Sequence, residues 1–304
     1  MADGGMGTLL LAGRAGLPPC LEELNLSAPD EIRNAHREYV LAGAEIIQTN
    51  TFGANRVRLS AAGLSGRVEE VNRAAVALAR EAAGPDLLVA GSVGPLGRRI
   101  TEDTAAGRPD EIPHAAAREA FGEQMEALAV AGVDLIVLET FSHLAELGEA
   151  LAAHDAAARG IPLVVQVTVN TEGTLGDGAT IEGLLRFLKP WRPAAIGCNC
   201  SEGPASVRSA IEVLVARANC SVSAQPSAGL PRRQREQLVY PWAAKDFGHW
   251  AAWAIESGVR IVGGCCGTTP GHIQAVRAAA DEWRSRPRSS AAPVFTLDWN
   301  EASR

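Results

Sequence analysis

Short runs of apolar and β-branched residues alternate along this chain with longer stretches in which apolar positions recur every three to four residues. The runs, at 45–49, 87–93, 134–139, 163–169, 194–200, 221–225 and 260–264, have the length and uniform apolarity of strands buried on both faces. The stretches between them, including 30–41, 68–82, 115–131, 143–158, 205–216 and 247–257, have helical spacing. Ser27 is expected to cap the first of these helices, with Pro29 in its first turn and Asp30 and Glu31 complementing its dipole. Gly43, Gly132 and Gly258 stand where helices should stop. Strands this hydrophobic, joined by crossover helices, imply a parallel sheet covered on both faces. With one further strand at the N-terminus the count reaches eight, which predicts a single-domain α/β fold of the (β/α)8 TIM barrel type over residues 1–283. The doubly wound sheet is the competing arrangement. From 284 to 304 the chain becomes rich in Arg, Ser and Pro, the pattern of a C-terminal tail or the start of a linker.

Polar and reactive residues gather at the C-terminal ends of the strand runs: Thr49, Asn50, Ser92, Glu139, Asn199, Cys200, Cys265 and Cys266. In a barrel that end is the active face. Composition narrows the chemistry. With 47% hydrophobic and 21% charged residues, disorder throughout is excluded. A net charge of -7, without a basic block interleaved with aromatics, argues against nucleic acid and for a small-molecule substrate. The longest apolar stretches fall short of the roughly 18 residues of a membrane span, and no basic segment precedes an apolar run at the N-terminus, so a cytoplasmic location is expected. Thiols stay reduced there, and clustered cysteines then point to metal or catalysis. Cys20, Cys198 and Cys220 are isolated and are assigned no role.

Cys265 and Cys266 follow Gly263 and Gly264 at the end of the last strand run. Neighbouring strand residues point to opposite faces, so two adjacent thiols converge only if the backbone departs from β geometry, which flanking glycines permit. Cys200, at the end of an earlier strand, can supply a third sulfur on the same face. Soft thiolate donors favour zinc, and three protein ligands with one open position describe a catalytic site. Such an ion takes a substrate thiol as fourth ligand and deprotonates it, and four thiolates would give a cluster of formal charge 2−, keeping that sulfur nucleophilic. The bland alternatives are two buried small residues or a vicinal disulfide, the latter strained and disfavoured in a reducing compartment.

Other features carry less. The segment 91–97 is glycine-rich but lacks both P-loop and Rossmann spacing. His114 and His143 lack ligand spacing, and His272 fits a helix first turn as well as a place near the metal. Tyr240, Pro241 and Trp242 fit packing or a pocket mouth, and glycines at 173, 176 and 178 fit a loop able to close over a site.

In order along the chain stand Asp3-Gly4-Gly5-Met6-Gly7-Thr8, Gln48-Thr49-Asn50-Thr51-Phe52-Gly53-Ala54-Asn55-Arg56, Gly91-Ser92-Val93-Gly94-Pro95, Glu139-Thr140-Phe141, Gly197-Cys198-Asn199-Cys200, Gln225-Pro226-Ser227-Ala228-Gly229 and Gly264-Cys265-Cys266-Gly267-Thr268-Thr269-Pro270. Together they resemble the homocysteine S-methyltransferase family over nearly the whole chain. The long match at 48–56 is most similar to the homocysteine modules of cobalamin-dependent methionine synthases and bifunctional folate-linked enzymes. The resemblance implies a barrel with Zn2+ on Cys200, Cys265 and Cys266, and methyl transfer to a zinc-bound homocysteine thiolate, forming methionine. It implies that Asp3 and Glu139 hold the substrate amino group, that backbone amides near Gly4 and Thr49 take its carboxylate, and that Asn199 belongs to the same substrate-binding set. No separate general base is required. The methyl donor is then methylcobalamin or methyltetrahydrofolate, brought by another domain or chain, or S-methylmethionine; betaine is disfavoured because Gly53 stands where betaine-using relatives have tyrosine. Two departures stand out. Only Met1 and Ala2 precede Asp3, so the first strand is nearly missing and neighbouring ladder groups are expected to lack partners. Ser227 replaces an asparagine able to fill the open zinc position. The alternatives are a non-catalytic zinc- and homocysteine-binding module, or a methyltransferase acting on another small thiol or a selenol.

Overall fold

A computed structural model describes residues 1–12, 20–102, 108–234 and 237–286. Seven strands form one parallel sheet: β1 (Ile46–Gln48), β2 (Leu88–Val93), β3 (Leu135–Phe141), β4 (Leu163–Val167), β5 (Ala195–Cys200), β6 (Ser221–Pro226) and β7 (Ile261–Val262). They pair in sequence order, each with the next. The helices that follow are α1 (Pro29–Leu41), before β1, then α2 (Val68–Ala83), α3 (His114–Ala131), α4 (Leu144–Ala157), α5 (Ile181–Leu188), α6 (Pro204–Arg217), α7 (Ala244–Ser257) and α8 (Pro270–Ser285). Strictly sequential pairing is the order of a sheet curling on itself; a doubly wound sheet reverses direction at a switch point, so that competitor is ruled out. Two small ribbons, Arg99–Thr101 with Glu111–Pro113 and Arg232–Gln234 with Gln237–Val239, sit in the connections after β2 and β6.

The two edges of the sheet are not left unpaired. Ala2 N–H donates to Val262 O at 3.0 Å and Asp3 N–H to Ile46 O at 3.1 Å, so residues 1–3 bond to β7 on one side and β1 on the other. Glu45 and Ile46 N–H both donate to Met1 O, and Gly264 N–H donates to Asp3 O. The expected loss of ladder bonds at the short N-terminus therefore does not occur: three residues suffice because the facing strands are themselves two and three residues long.

Burial follows the two-residue period of the strands. Ile47, Val89, Ile136, Val165 and Ile196 join the large core between sheet and helices. The alternate positions Ala2, Ile46, Ala90, Leu135, Val137, Val164 and Ala195 form a separate apolar cluster on the inner face. Further along the strands the same inner parity carries Gln48, Ser92, Glu139, Gln166, Asn199, Ser223 and Gln225. The curled sheet is thus lined by an apolar layer toward the strand N-termini and a polar layer toward their C-termini.

Helix ends agree with the glycine signals: Gly132 and Gly258 are left-handed C-caps, and Gly43, at φ 96, turns the chain after α1. The Ser27 expectation is corrected. Ser27 closes the short helix Leu24–Ser27, its hydroxyl donating to Glu23 O at 3.2 Å, and Ala28 occupies the cap of α1. Pro29 and the acids Asp30 and Glu31 do occupy the first turn. Among the described residues no helix is long and apolar enough to cross a membrane. Helix α8 runs to Ser285, past the expected boundary at 283, and the remainder of the 284–304 tail from 287 onward lies outside the described residues.

Candidate metal and amino-acid site

At the C-terminal mouth of the sheet the sulfurs of Cys200, Cys265 and Cys266 lie within 4.8 Å of one another. Cys200 ends β5 and reaches this position through a left-handed backbone, with φ 53 there and φ 58 at Ser201. Non-glycine residues adopt that region at a cost of order 1–3 kcal/mol and need surrounding structure to hold them. Here Ser227 N–H donates to Cys200 O at 2.9 Å and Ser227 Oγ to Ser201 O at 3.0 Å.

The pair from the last strand is aimed by close packing. Neither Gly263 nor Gly264 has positive φ; a Cβ on Gly264 would come 2.3 Å from Thr268 Oγ1, and one on Gly263 2.8 Å from Asp3 O. These glycines let the turn lie against the N-terminal segment and against Thr268, whose hydroxyl donates to Cys265 O at 2.6 Å while accepting from Gly5 N–H at 3.0 Å. The dihedral freedom expected of them falls instead to Gly267, at φ 77.

The donor set fits zinc. Sulfurs around a tetrahedral ion with metal–sulfur bonds of about 2.3 Å stand about 3.8 Å apart, and the Cys200 and Cys266 sulfurs are separated by 3.8 Å. Hydrogen bonds from the Cys200 and Cys265 thiols hold the Cys266 thiol well below its ordinary range, and contacts with Cys200 and Cys266, together with burial, push Cys265 far up. Three thiolates this close need a cation between them. Cys20, Cys198 and Cys220 lie outside the cluster. His272 belongs to the capping box of α8, its Nε2 meeting Trp242 O at 2.9 Å.

Beside the sulfurs stand two carboxylates. Asp3 is buried, at 2% exposure, and accepts from Gln48 N–H at 2.8 Å; burial, and then the charge of Glu139, push it well above the usual carboxylate range. Glu139, at the end of β3, has its pKa pushed up to about 7 by burial, against the opposing hydrogen bond from Ser92. It accepts from Gln48 Nε2 at 3.1 Å, from Ser92 Oγ, and from Asn199 Nδ2 at 3.3 Å. Among the described residues neither acid has a cationic side-chain partner. The next residue, Thr140, is held at φ 65 by its N–H donating to Asn199 Oδ1 at 2.8 Å.

Gly4 is wedged against Thr268 and Tyr39, where a Cβ would meet Thr268 Oγ1 and Tyr39 Cε1 at 2.8 Å. Thr49 N–H is already committed to Ala90 O at 2.9 Å, and its hydroxyl meets Thr51 Oγ1 at 2.6 Å. Among the described residues, the N–H groups of Gly4 and Asn50 donate to no protein acceptor. Asn199 is fully buried, with its amide spent on Thr140, Glu139 and, at 3.9 Å, Cys265 Sγ. Sequence reasoning passed over Gln166; the signal was there, a lone amide inside the apolar strand Leu163–Val167.

A profile of the homocysteine S-methyltransferase family matches residues 1–280. Among curated proteins, methionine synthase of Mycobacterium tuberculosis is 35% identical over 296 residues and that of Mycobacterium leprae 34%, in each case over 92% of this chain. The chain spans about a quarter of the length of these relatives, 24% of each. Among solved structures, the homocysteine methyltransferase MmuM from Escherichia coli matches in its oxidized form with a TM-score of 0.75 at 25% identity, and in its metallated form with 0.74, both covering 91% of this chain and 94% of that one.

Proposed function

Because the chain belongs to the homocysteine S-methyltransferase family, we propose that it methylates the sulfur of homocysteine, forming methionine, at a Zn2+ site made by Cys200, Cys265 and Cys266. The observation that carries this reading is the juxtaposition of three converging thiols with two acids, Asp3 and Glu139, that lack any cationic side-chain partner among the described residues. A homocysteine has a thiol for the first and an ammonium for the second. Bound zinc supplies the Lewis acidity that keeps an incoming thiol ionised near neutral pH. Asp3 and Glu139 accept from the ammonium, and the unengaged N–H groups of Gly4 and Asn50 serve the carboxylate, Asn50 taking the part expected of Thr49. Asn199 orients Glu139 rather than touching the substrate. The substrate sulfur then forms its bond to the methyl carbon as the donor–methyl bond breaks, and the donor departs with the bonding pair. No side chain need remove a proton in that step.

The donor is methylcobalamin or methyltetrahydrofolate presented by another domain or chain, with S-methylmethionine the other possibility. The relatives' greater length supports delivery from outside this barrel. Residues 1–3 serve as the eighth strand of a (β/α)8 barrel occupying 1–283, the tail following, and a reducing cytoplasm suits the free thiols.

The test is zinc content of wild type and Cys266→Ala together with methionine formation from homocysteine and each donor. About one zinc per chain, lost with turnover in the variant, is the expected result. Zinc without turnover on any donor would favour a non-catalytic binding module, and activity on cysteine or a selenol alone would move the acceptor.

A further inference from the structure

The polar layer inside the sheet contains a chain of side-chain amides that the reading above leaves without a role. Gln166 on β4 donates from Nε2 to Gln225 Oε1 on β6 at 2.6 Å and to Ser223 Oγ at 3.1 Å. Gln225 donates from Nε2 to Gln48 Oε1 on β1 at 2.7 Å. Gln48 donates from Nε2 to Glu139 Oε1 on β3 at 3.1 Å. Three amides thus cross the interior head to tail and end on one carboxylate.

Their direction is set by chemistry. A carboxylate that receives an ammonium is ionised and only accepts, so Gln48 must present its NH2 to Glu139 and its oxygen to Gln225, and the same constraint passes on to Gln166. The cost is left at the far end, where Gln166 Oε1 is buried with no partner among the described residues. Gln166 is fully buried and Gln225 is 4% exposed, so neither amide can trade its partners for water. A buried unpaired acceptor costs about 1–3 kcal/mol, and here that cost falls on a chain of amides whose other end is fixed on a carboxylate. That carboxylate is Glu139: Oε1 is occupied by Gln48 and Ser92, while Oε2 meets only the longer 3.3 Å contact from Asn199. Gln48 also reaches the second acid, since its backbone N–H donates to Asp3 Oδ2.

We infer that Gln166, Gln225 and Gln48 are positioning residues for amino-acid recognition: the amide chain fixes the orientation of the Glu139 carboxyl group with Oε2 open to a substrate ammonium, and Gln166 acts on that recognition without touching the substrate. The inference rests on the reading of Asp3 and Glu139 as an ammonium clamp and extends it to a residue on the far side of the interior.

The test compares L-homocysteine with 4-mercaptobutanoate, which keeps thiol and carboxylate and lacks the amino group, by calorimetric binding to the zinc-loaded protein. Wild type is expected to prefer L-homocysteine. In Gln48→Met the dissociation constant for L-homocysteine should rise about tenfold, and in Gln166→Met about threefold, while that for 4-mercaptobutanoate changes less than about twofold in both. Equal weakening of both ligands, with zinc content retained, would show a merely structural role and overturn the proposal, as would unchanged L-homocysteine binding in Gln48→Met. Should Gln48→Met not fold, Gln166→Met and Gln225→Met decide by the same comparison. If wild type binds the two ligands equally, the ammonium clamp itself is wrong and the inference falls with it.

Discussion

At the scale of single residues, the site is made of side chains held where they are individually unfavourable. Thr140, Cys200 and Ser201 have left-handed backbones, Asp3 and Glu139 are carboxylates set in low-dielectric surroundings, and Gln166 keeps a buried orphan oxygen. On α1, His36 shows the same cost without a part in the site: it is fully buried, both ring nitrogens lack partners among the described residues, and burial alone pushes its pKa down to about 3. Its folded pKa lies below that of the unfolded chain, so between pH about 6.5 and 3 the unfolded state holds the extra proton and stability rises with pH. Acidification through that window should remove about 1.4 kcal/mol per pH unit on this account. Urea unfolding of wild type and His36→Leu from pH 7 to 4 should show a stability slope shallower by up to one proton in the variant; parallel slopes would mean that His36 is protonated in the folded protein.

At the scale of elements, the turn from β7 into α8 carries two of the three sulfurs on a strand of only two residues. It is held from outside: Thr268 Oγ1 links Cys265 O to Gly5 N–H, Tyr39 OH donates to Thr268 O at 3.1 Å, and Gly267 N–H donates to Thr8 Oγ1 at 3.0 Å. Gly264→Ala would drive a methyl group into Thr268 and should cost about 1–3 kcal/mol, the usual range for overpacking. Zinc affinity should fall with stability, because the same shift displaces Cys265. Denaturant melts and zinc competition with a chromogenic chelator check this, and a variant as stable as wild type with unchanged zinc affinity would show that the turn adapts. Strand and helix positions were legible from periodicity, and so was the gathering of reactive groups at strand C-termini. The packing duty of Gly263 and Gly264 was not, since a Gly-Gly pair reads alike whether it serves dihedral freedom or close approach.

At the scale of the molecule, the core is assembled without the clustered cysteines. Neither the large cluster between sheet and helices nor the inner apolar layer includes Cys200, Cys265 or Cys266. Zinc binding to the folded state alone should therefore shift stability without deciding the fold. At a free zinc concentration about a thousand times the dissociation constant the gain is about 4 kcal/mol, which for a chain of this size raises the melting temperature by several degrees. A strong chelator should lower the melting temperature of zinc-loaded protein by that amount and leave the far-ultraviolet circular dichroism unchanged, and Cys200→Ser should show a smaller zinc-dependent shift. Collapse of secondary structure on chelation would make the ion structural.

The order of strands and helices, the polar ends of the strands, and the choice of Cys200, Cys265 and Cys266 as the cysteines that cluster were legible in the sequence alone, because a two- or 3.6-residue period, a cysteine at a strand end and a Gly-Gly-Cys-Cys run are local properties. How Met1–Asp3 satisfies both sheet edges, why Thr49 N–H is spent while Asn50 N–H is not, and that Gln166, Gln225 and Gln48 join head to tail onto Glu139 were decided only by the tertiary structure. Each of these depends on which strands lie side by side once the sheet curls, and hydrogen bonds between residues 59 and 177 positions apart leave no periodic trace in the chain.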